Sequence, residues 1–343
     1  MTRVLVTGAT GFIGGHIVRA LLDSGYEVRA LVRPGQALRT RDEKLTLAVG
    51  DVRDRASLDA AMVGCNAVVH AAAAYNFWSR DPGLMYDVNV DGTRNVLQAA
   101  AAGVERIVYT STVATMKLGG GRLATEEDSA APRDLTGAYK RSKWEAERMA
   151  LRMVGTGAHV VIVNPTAPVG SADVKPTPTG GLILRFLRGE MPAVVDTGLN
   201  LVHVRDVAEG HVLALERGKP GERYLLGNTA GNLTLAEIVQ KLSEMTGLRP
   251  PRWKLPHGPV LALAHVDTFL MGDLLGRQPH VPSEAAKIAV SKMWVDPSKA
   301  VRELGLPQRR VDDGLSEAVH WFIANGYVAG RRIHLVGQEQ ADA

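Results

Sequence analysis

Tyr139 and Lys143, one helical turn apart, hold the clearest prospect of acid–base chemistry in this chain. In Tyr139-Lys-Arg-Ser-Lys143 the phenol and the ammonium occupy positions i and i+4, which share a helix face. A phenol with its ordinary pKa near 10 is a poor base at neutral pH. A nearby cation favours the phenolate and lowers that value. A shift of about three units requires roughly 4 kcal/mol of differential stabilisation, which two close positive charges can supply. Ser111-Thr112 brings hydroxyls to the end of an apolar run, where Thr112 can hold a substrate oxygen beside the phenol. The plainer reading of Thr112 is a helix or turn cap.

A second set of residues binds rather than reacts. Val4-Leu-Val-Thr-Gly-Ala-Thr-Gly-Phe-Ile-Gly14 places a β-branched run before glycines three apart, and an amphipathic stretch from Phe12 to Ser24 follows, closed by Gly25. Gly8, Gly11 and Gly14 let the backbone turn sharply and approach a ligand closely. The helix that follows aims unpaired N–H groups and a partial positive charge at whatever sits there. A pyrophosphate is the natural occupant, and strand before and helix after favour that reading over a plain turn. An oxidised nicotinamide on such a dinucleotide would be the second positive charge beside Tyr139.

Strand and helix patterns alternate around these residues. Strands are expected at Glu27–Val32, Leu45–Val49, Ala67–His70, Ile107–Thr110 and Val160–Val163, with helices at Ser57–Met62, Met85–Ala101 and Ala138–Met153. This alternation predicts an α/β fold of Rossmann type, a doubly wound parallel sheet with ligands at the carboxyl ends of its strands. Past Asn164-Pro165 the chain turns rich in Pro, Thr and Gly. Leu182–Leu187 and Leu233–Thr246 read as helices, Val202–Val207 leads into a helix through Glu216, and Arg223–Leu226 reads as a strand returning to the first sheet. The expected division is a dinucleotide-binding domain of residues 1–166 and 201–229, a smaller discontinuous α/β substrate domain of 167–200 and 230–330, and a tail of 331–343.

Composition narrows the classes. The 343 residues are 45% hydrophobic and carry a formal charge of +4, enough apolar material for a large core and no basic run of the kind that binds nucleic acid. Cys65 is the only cysteine, which excludes an internal disulfide and points to a reducing compartment. Neither paired cysteines nor a His-x-x-His cluster suggests a metal. The first strand begins at residue 3 or 4, so a cytoplasmic location without a signal peptide is expected. The apolar stretch Gly258–Leu275 is interrupted by His265, Asp267 and Asp273, so it does not read as a membrane span. A helix packed on the protein is favoured there, with contact to a membrane surface or lipidic substrate as the alternative.

Taken together, Thr7-Gly-Ala-Thr-Gly-Phe-Ile-Gly14, Gly50-Asp51, Val69-His-Ala-Ala-Ala73, Asn89-Val-Asp-Gly-Thr93, Tyr109-Thr-Ser-Thr112, Tyr139 to Lys143, Asn164-Pro165 and His203-Val-Arg-Asp-Val-Ala208 resemble the extended short-chain dehydrogenase/reductases. That family includes NAD-dependent epimerases, dehydratases and dihydroflavonol-reductase-like enzymes. Asn164-Pro-Thr-Ala-Pro-Val-Gly170, Lys175-Pro-Thr-Pro-Thr-Gly180 and Asp196 to His203 resemble the bacterial hopanoid-associated sugar epimerases within it. The resemblance implies that Tyr139 is the general acid/base, that Lys143 lowers its pKa and holds the nicotinamide ribose, and that Thr112 binds the substrate oxygen with Ser111 near the nicotinamide. It further implies a cofactor loop of Gly8, Thr10, Gly11, Phe12, Ile13 and Gly14. Asp51 and Val52 would touch the adenine, Ala71, Ala72 and Ala73 would line the cofactor, and Asn164 and Pro165 would also be cofactor contacts. Asn89 reads equally as a cofactor contact or as a solvent-facing helix residue. A homodimer formed through helices is common among relatives.

Where an NAD-preferring fold places an acid after the second strand, this chain has Val32-Arg33-Pro34. The planar, permanently charged guanidinium suits a 2′-phosphate, so NADP(H) is expected to bind better than NAD(H), against a plainer reading of Arg33 as a solvated turn residue. Three functions compete: a redox enzyme or epimerase acting on a sugar or polyol, free or lipid-linked, in hopanoid biosynthesis; a dihydroflavonol-reductase-like aldehyde or ketone reductase; and a non-catalytic dinucleotide sensor. Nucleotide-sugar epimerases carry Val-Tyr-Gly after the Ser/Thr, whereas this chain continues Val113-Ala-Thr-Met-Lys-Leu-Gly119, which speaks against a UDP-sugar. Lys175, Thr177, Thr179 and His203 are the candidate substrate contacts, beside purely structural roles for each.

Overall fold

A computed structural model describes residues 2–75, 83–101, 103–119, 121–269, 271, 277, 279 and 292–328. Its strands are β1 (Arg3–Thr7), β2 (Glu27–Val32), β3 (Leu45–Val49), β4 (Ala67–His70), β5 (Arg106–Thr110), β6 (His159–Pro165), β7 (Ala167–Val169), β8 (Ala193–Val195), β9 (Gly198–His203), β10 (Arg223–Leu226), β11 (Asn232–Thr234) and β12 (Trp253–Leu255). The helices are α1 (Phe12–Asp23), α2 (Arg55–Met62), α3 (Gly83–Tyr86), α4 (Gly92–Ala100), α5 (Gly137–Val154), α6 (Pro178–Arg188), α7 (Val204–Arg217), α8 (Leu235–Thr246), α9 (His257–Asp267), α10 (Ser298–Leu304) and α11 (Val311–Ala324). Seven strands form one sheet in the order β3-β2-β1-β4-β5-β6-β10, and every pairing in it is parallel.

The sheet is buried because its strands are apolar on both faces. On β1, Val4 and Val6 join a core beneath α1, α7 and α10 that includes Ile17, Leu21, Val207 and Leu304. Leu5, between them, points to the opposite core, with Leu97 of α4 and Ala146 and Ala150 of α5. That alternation is the two-residue period of a strand. The order runs outward in both directions from the β1–β4 pair, so the chain's direction of winding reverses there. A crevice at such a reversal is the usual ligand site of an open α/β sheet.

A third core joins α6, α8 and α11 over a small sheet, β11-β9-β7, through Ile183, Leu187, Leu201, Ile238, Leu242 and Phe322. The return of Arg223–Leu226 to the large sheet is as expected, paired with β6 from Arg223↔Ile162 to Leu226↔Pro165.

Three local expectations change. The single helix expected over Met85–Ala101 is α3, a widened π turn at Asp87–Asp91, and α4. Asn89 causes part of this: its side chain turns inward to the Ala74 backbone. Gly92 contributes as well, since a Cβ there would lie 2.8 Å from Val52 Cγ2. The helix expected from Leu233 starts at Leu235, because Thr234 and Glu237 form a reciprocal capping box and residues 232–234 pair with β9. The apolar helix near residue 260 is present as α9, but only Ala264 of it is buried, while Leu263, Val266 and nearby Phe269 are exposed. Leu270, Leu274 and Leu275 of that stretch, and the tail 331–343, lie outside the described residues. Among the described residues no helix is long and apolar enough to cross a membrane.

Candidate active site

The loop after β1 is shaped by close backbone approach. Gly8 has φ +72°, and a Cβ on it would lie 2.6 Å from Ala72 N, in the chain leaving β4. A Cβ on Gly14 would overlap the Gly8 carbonyl, so α1 packs against the loop only with glycine there. Gly11 is the N-cap of α1 and supplies no side-chain bond, leaving the first-turn N–H groups free of a protein cap. Such an uncapped helix start behind a glycine loop fits a dinucleotide pyrophosphate. Thr10 hydrogen-bonds Gln36 in the turn after β2, Phe12 packs edge-on to His16, and Ile13 leans on the core.

Arg33 follows β2 and is exposed. Its charge acts on Asp51 at the end of β3. Asp51 is held below the usual carboxylate range chiefly by Arg53, which grips it at 3.1 and 2.9 Å. Val52 is buried, and its carbonyl accepts from Asn95 Nδ2.

The loop Ala71–Ala74 hangs on a buried polar chain. Ala72 N donates to Thr7 Oγ1, Thr7 meets His70 Nδ1 at 2.7 Å, His70 Nε2 meets Thr93 Oγ1 at 3.0 Å, and Thr93 donates to the Asn89 carbonyl. Asn89 is 1% exposed, so the solvent-facing reading is corrected. It clamps Ala74 N and O and donates to Ser142 Oγ on α5, which supports the cofactor-side loop from behind.

α5 brings Tyr139 and Lys143 under the end of β5. Thr112 lies close enough to the Tyr139 phenol to lower its pKa and also caps the short 3-10 turn Val113–Thr115 by accepting from Ala114 N. The plainer reading of Thr112, a turn cap, is therefore met, and its place beside Tyr139 is compatible with the other. Tyr75 stands edge-on to Tyr139 with ring centroids 4.3 Å apart. Lys143 is 2% exposed, donates to the Thr110 carbonyl at 2.7 Å, and lies 4.5 Å from the centre of the Tyr109 ring.

In the chain by itself, without a nicotinamide, burial dominates the electrostatics of the pair. Burial pushes the Tyr139 phenol up to about 12, eased only by Thr112. Burial also draws Lys143 down to about 7, opposed by the Glu147 carboxylate. The i, i+4 spacing puts the two residues on one face of α5, and desolvation sets the direction of both shifts.

Ser111 and Asn164 are placed behind the reacting groups. The Ser111 hydroxyl is committed to Glu147 Oε2 by a hydrogen bond. Asn164 is fully buried, and its Nδ2 donates to the Thr112 carbonyl, Thr115 Oγ1 and Glu147 Oε2. Pro165 is buried in β6 opposite Leu226. These residues hold the site's wall; their polar atoms are directed into it, not toward the Tyr139 phenol.

The substrate candidates do not converge on Tyr139 through any hydrogen bond or ion pair. Thr177 is the N-cap of α6 and donates to Asp173, a buried acid raised to about 6 by desolvation. His203 is 1% exposed, caps α7 by accepting from Arg205 N, and lies 3.5 Å from Glu317. Burial lowers its pKa. Both serve as helix caps, the purely structural role set beside the substrate role for each. Lys175 is exposed and Thr179 half-buried on the same loop and helix start. Reading the sequence missed Glu147, although it continues the column Tyr139, Lys143 at the next turn of α5, and it missed His70 as a buried hub and Tyr75 as the ring against the phenol.

A glycine loop on an uncapped helix, a Tyr/Lys pair and a strand-end threonine at one sheet edge define a nicotinamide-dinucleotide oxidoreductase site. Residues 4–227 match the NAD dependent epimerase/dehydratase family, and the chain belongs to it. It is 47% identical over 330 residues to a Synechocystis sp. protein named for dihydroflavonol 4-reductase, covering 94% of this chain and 95% of that one. It is 35% identical over 327 residues to sterol demethylase protein B of Methylococcus capsulatus, covering 94% and 99%. Among solved structures, gox2253 superposes with TM-score 0.84 at 41% identity over 96% of this chain and 100% of that one. UDP-glucose 4-epimerase of Thermus thermophilus in complex with NAD superposes with TM-score 0.73 at 25% identity over 94% and 99%. The protein is an NAD(P)-dependent enzyme of the epimerase or reductase type in the extended short-chain dehydrogenase/reductase family.

Proposed function

We propose that the protein is an NADP(H)-dependent reductase acting between a carbonyl and a secondary alcohol on an apolar, lipid-type or polycyclic substrate. The observation that carries the cofactor choice is Arg33, an exposed guanidinium at the end of β2 with no acid in its place. The relatives named for dihydroflavonol 4-reductase and sterol demethylase protein B support the reductase reading and the apolar substrate. Bound in the glycine-loop crevice, the nicotinamide supplies the hydride. Tyr139, with its phenol raised to about 12, is a proton donor at neutral pH and suits protonation of the oxygen left by carbonyl reduction. Thr112 holds that oxygen beside the phenol. Lys143 steadies the ribose and supplies positive charge below Tyr139. The substrate half of the molecule is the segment 167–200 with 230–330, and Lys175 and Thr179 stay candidates there. Exposed Trp253, Leu263, Val266 and Phe269 support contact with an apolar surface that delivers such a substrate.

The second reading is a sugar or polyol epimerase of hopanoid biosynthesis, favoured by the likeness to a UDP-glucose 4-epimerase. The nucleotide that co-purifies, with titration by NADPH and NADH, separates the two. Empty protein that binds NADPH reversibly supports the reductase; tightly retained NAD overturns it. Tyr139→Phe should keep NADPH affinity within about twofold and lose turnover by about 10²-fold or more, on the order expected of a general acid. Unchanged turnover refutes the catalytic role.

A further inference from the structure

We propose that Glu147 is a positioning residue of this enzyme, a buried carboxylate that pins the turn carrying Thr112 and holds countercharge beneath Lys143. The proposal rests on the reading of Tyr139, Lys143 and Thr112 as the reacting groups.

Glu147 is 3% exposed. A buried carboxylate is costly unless its lone pairs are filled and its charge is paired. Here both conditions are met by residues from three separate parts of the chain. Ser111 Oγ, Thr115 Oγ1 at 2.8 Å and Asn164 Nδ2 at 3.0 Å all donate to Oε2, while Arg223 Nη1 reaches Oε1 at 3.2 Å. Ser111 and Thr115 are the two ends of the turn whose second residue is Thr112. Asn164 bridges the same carboxylate to the Thr112 carbonyl at 3.0 Å. One carboxylate thus fixes the turn at both ends and, through Asn164, at Thr112 itself.

The same group acts along α5. Tyr139, Lys143 and Glu147 stand four residues apart, on one helix face. The charged and titratable groups facing Lys143 are Glu147 and Tyr139 on α5, Tyr109 on β5 and His70 on β4, whose neutral form the lysine favours. Arg223 on β10 faces Glu147 from the far side. Among these described residues Glu147 is the one acid, so it is the group there that opposes the desolvation of Lys143.

Glutamine at 147 keeps the shape but removes the charge and brings an NH₂ against neighbours that all donate. Aspartate keeps the charge and loses one methylene of reach. Lysine labelled with ¹³C at Cε, with the Lys143 resonance assigned by its loss in Lys143→Arg, reads the charge without substrate or nucleotide. In Glu147→Gln the Lys143 midpoint should fall by about one pH unit or more, with the other lysines unmoved. In Glu147→Asp it should stay within a few tenths, while amide exchange of Ser111 and Thr115 quickens by about tenfold. An unmoved Lys143 midpoint in a cooperatively folded Glu147→Gln, or unchanged exchange in Glu147→Asp, overturns the proposal. If Glu147→Gln fails to fold, the Glu147→Asp exchange result decides alone. Failure to bind NADPH would overturn the proposed function and leave these readouts intact.

Discussion

Acid should unfold this protein through two histidines beside the active site. His70 and His211 are both fully buried. Ala72 N donates to Thr7 Oγ1, which leaves the Thr7 hydrogen for His70 Nδ1, and Thr93 gives its own hydrogen to the Asn89 carbonyl and so accepts from His70 Nε2. His211 donates from Nδ1 to the Val207 carbonyl and accepts from Thr110 at 2.9 Å. Each ring is satisfied as the neutral tautomer, and a second ring proton would meet a hydroxyl hydrogen. Burial accordingly lowers His70 to about 3, with help from the Lys143 charge, and His211 to about 4. In the unfolded chain both titrate near 6.5. Below that pH the unfolded state takes up protons that the folded state refuses, so stability falls as pH falls. By about pH 4 each histidine costs about 3 kcal/mol, and the pair about 6, a large part of the roughly 5–15 kcal/mol a domain has.

Asp173 works in the opposite sense. Its folded pKa of about 6 lies above the unfolded value, so it adds stability as pH falls through that window. A difference measurement removes it. Urea unfolding of wild type and His211→Gln at pH 7, 5.5 and 4.5 should show the variant offset at every pH by its lost hydrogen bonds. Between pH 5.5 and 4.5 the variant should lose stability more slowly, by about 1.4 kcal/mol per pH unit, the value of one proton. His70→Gln should flatten the profile by a similar amount. Parallel profiles for variant and wild type would refute the reasoning, because the folded state would then accept the proton after all.

Gly14→Ala should lower Tm by about 5 °C from overpacking of roughly 2 kcal/mol and weaken NADPH binding. Gly15→Ala is its control, since a Cβ there lies 3.6 Å from the Ala9 carbonyl, an ordinary contact; its Tm should hold or rise, and equal losses in the two would sink the close-approach account. Arg33→Ala should weaken NADPH by about tenfold, near the roughly 1.5–3 kcal/mol of a charged hydrogen bond, and leave NADH unchanged; an equal loss for both by fluorescence titration removes the 2′-phosphate role. Liposomes with anionic lipid should float the wild type, and Leu263→Gln with Val266→Gln should release it; full recovery of wild type in the soluble fraction counts against surface contact.

The parts of the fold legible in the sequence were those that repeat locally. Val4 to Val6 alternate between two cores, and a strand run followed by Gly8, Gly11 and Gly14 needs nothing distant to be read. Most positions at strand ends followed from the same alternation. What stayed hidden depends on residues far apart in sequence meeting in space. The π turn at Asp87–Asp91 answers to Val52 and Ala74, neither of which is near it in the chain. His203 and Thr177 are polar residues immediately before helices and cap them, a local signal that the sequence reading did not use.

The α5 column shows where that boundary falls. Its spacing of four puts Tyr139, Lys143 and Glu147 on one face, and that much is readable from residue types alone. Depth is not readable. Tyr139 is half-buried, while Lys143 and Glu147 are sealed behind β5 and β6. The ammonium therefore loses its water and turns to the Thr110 carbonyl, and the phenol rises instead of falling. The consequence favours one direction of reaction. A phenol raised to about 12 gives up its proton only to a stronger base, such as the alkoxide that carbonyl reduction leaves, and to drive oxidation of an alcohol it would first need the positive charge of an oxidised nicotinamide beside it. Turnover in the oxidative direction should thus rise with pH well above neutrality while reduction stays flat from about pH 6 to 8, and an oxidative rate already level at about pH 7 would mean that the bound cofactor overrides burial completely.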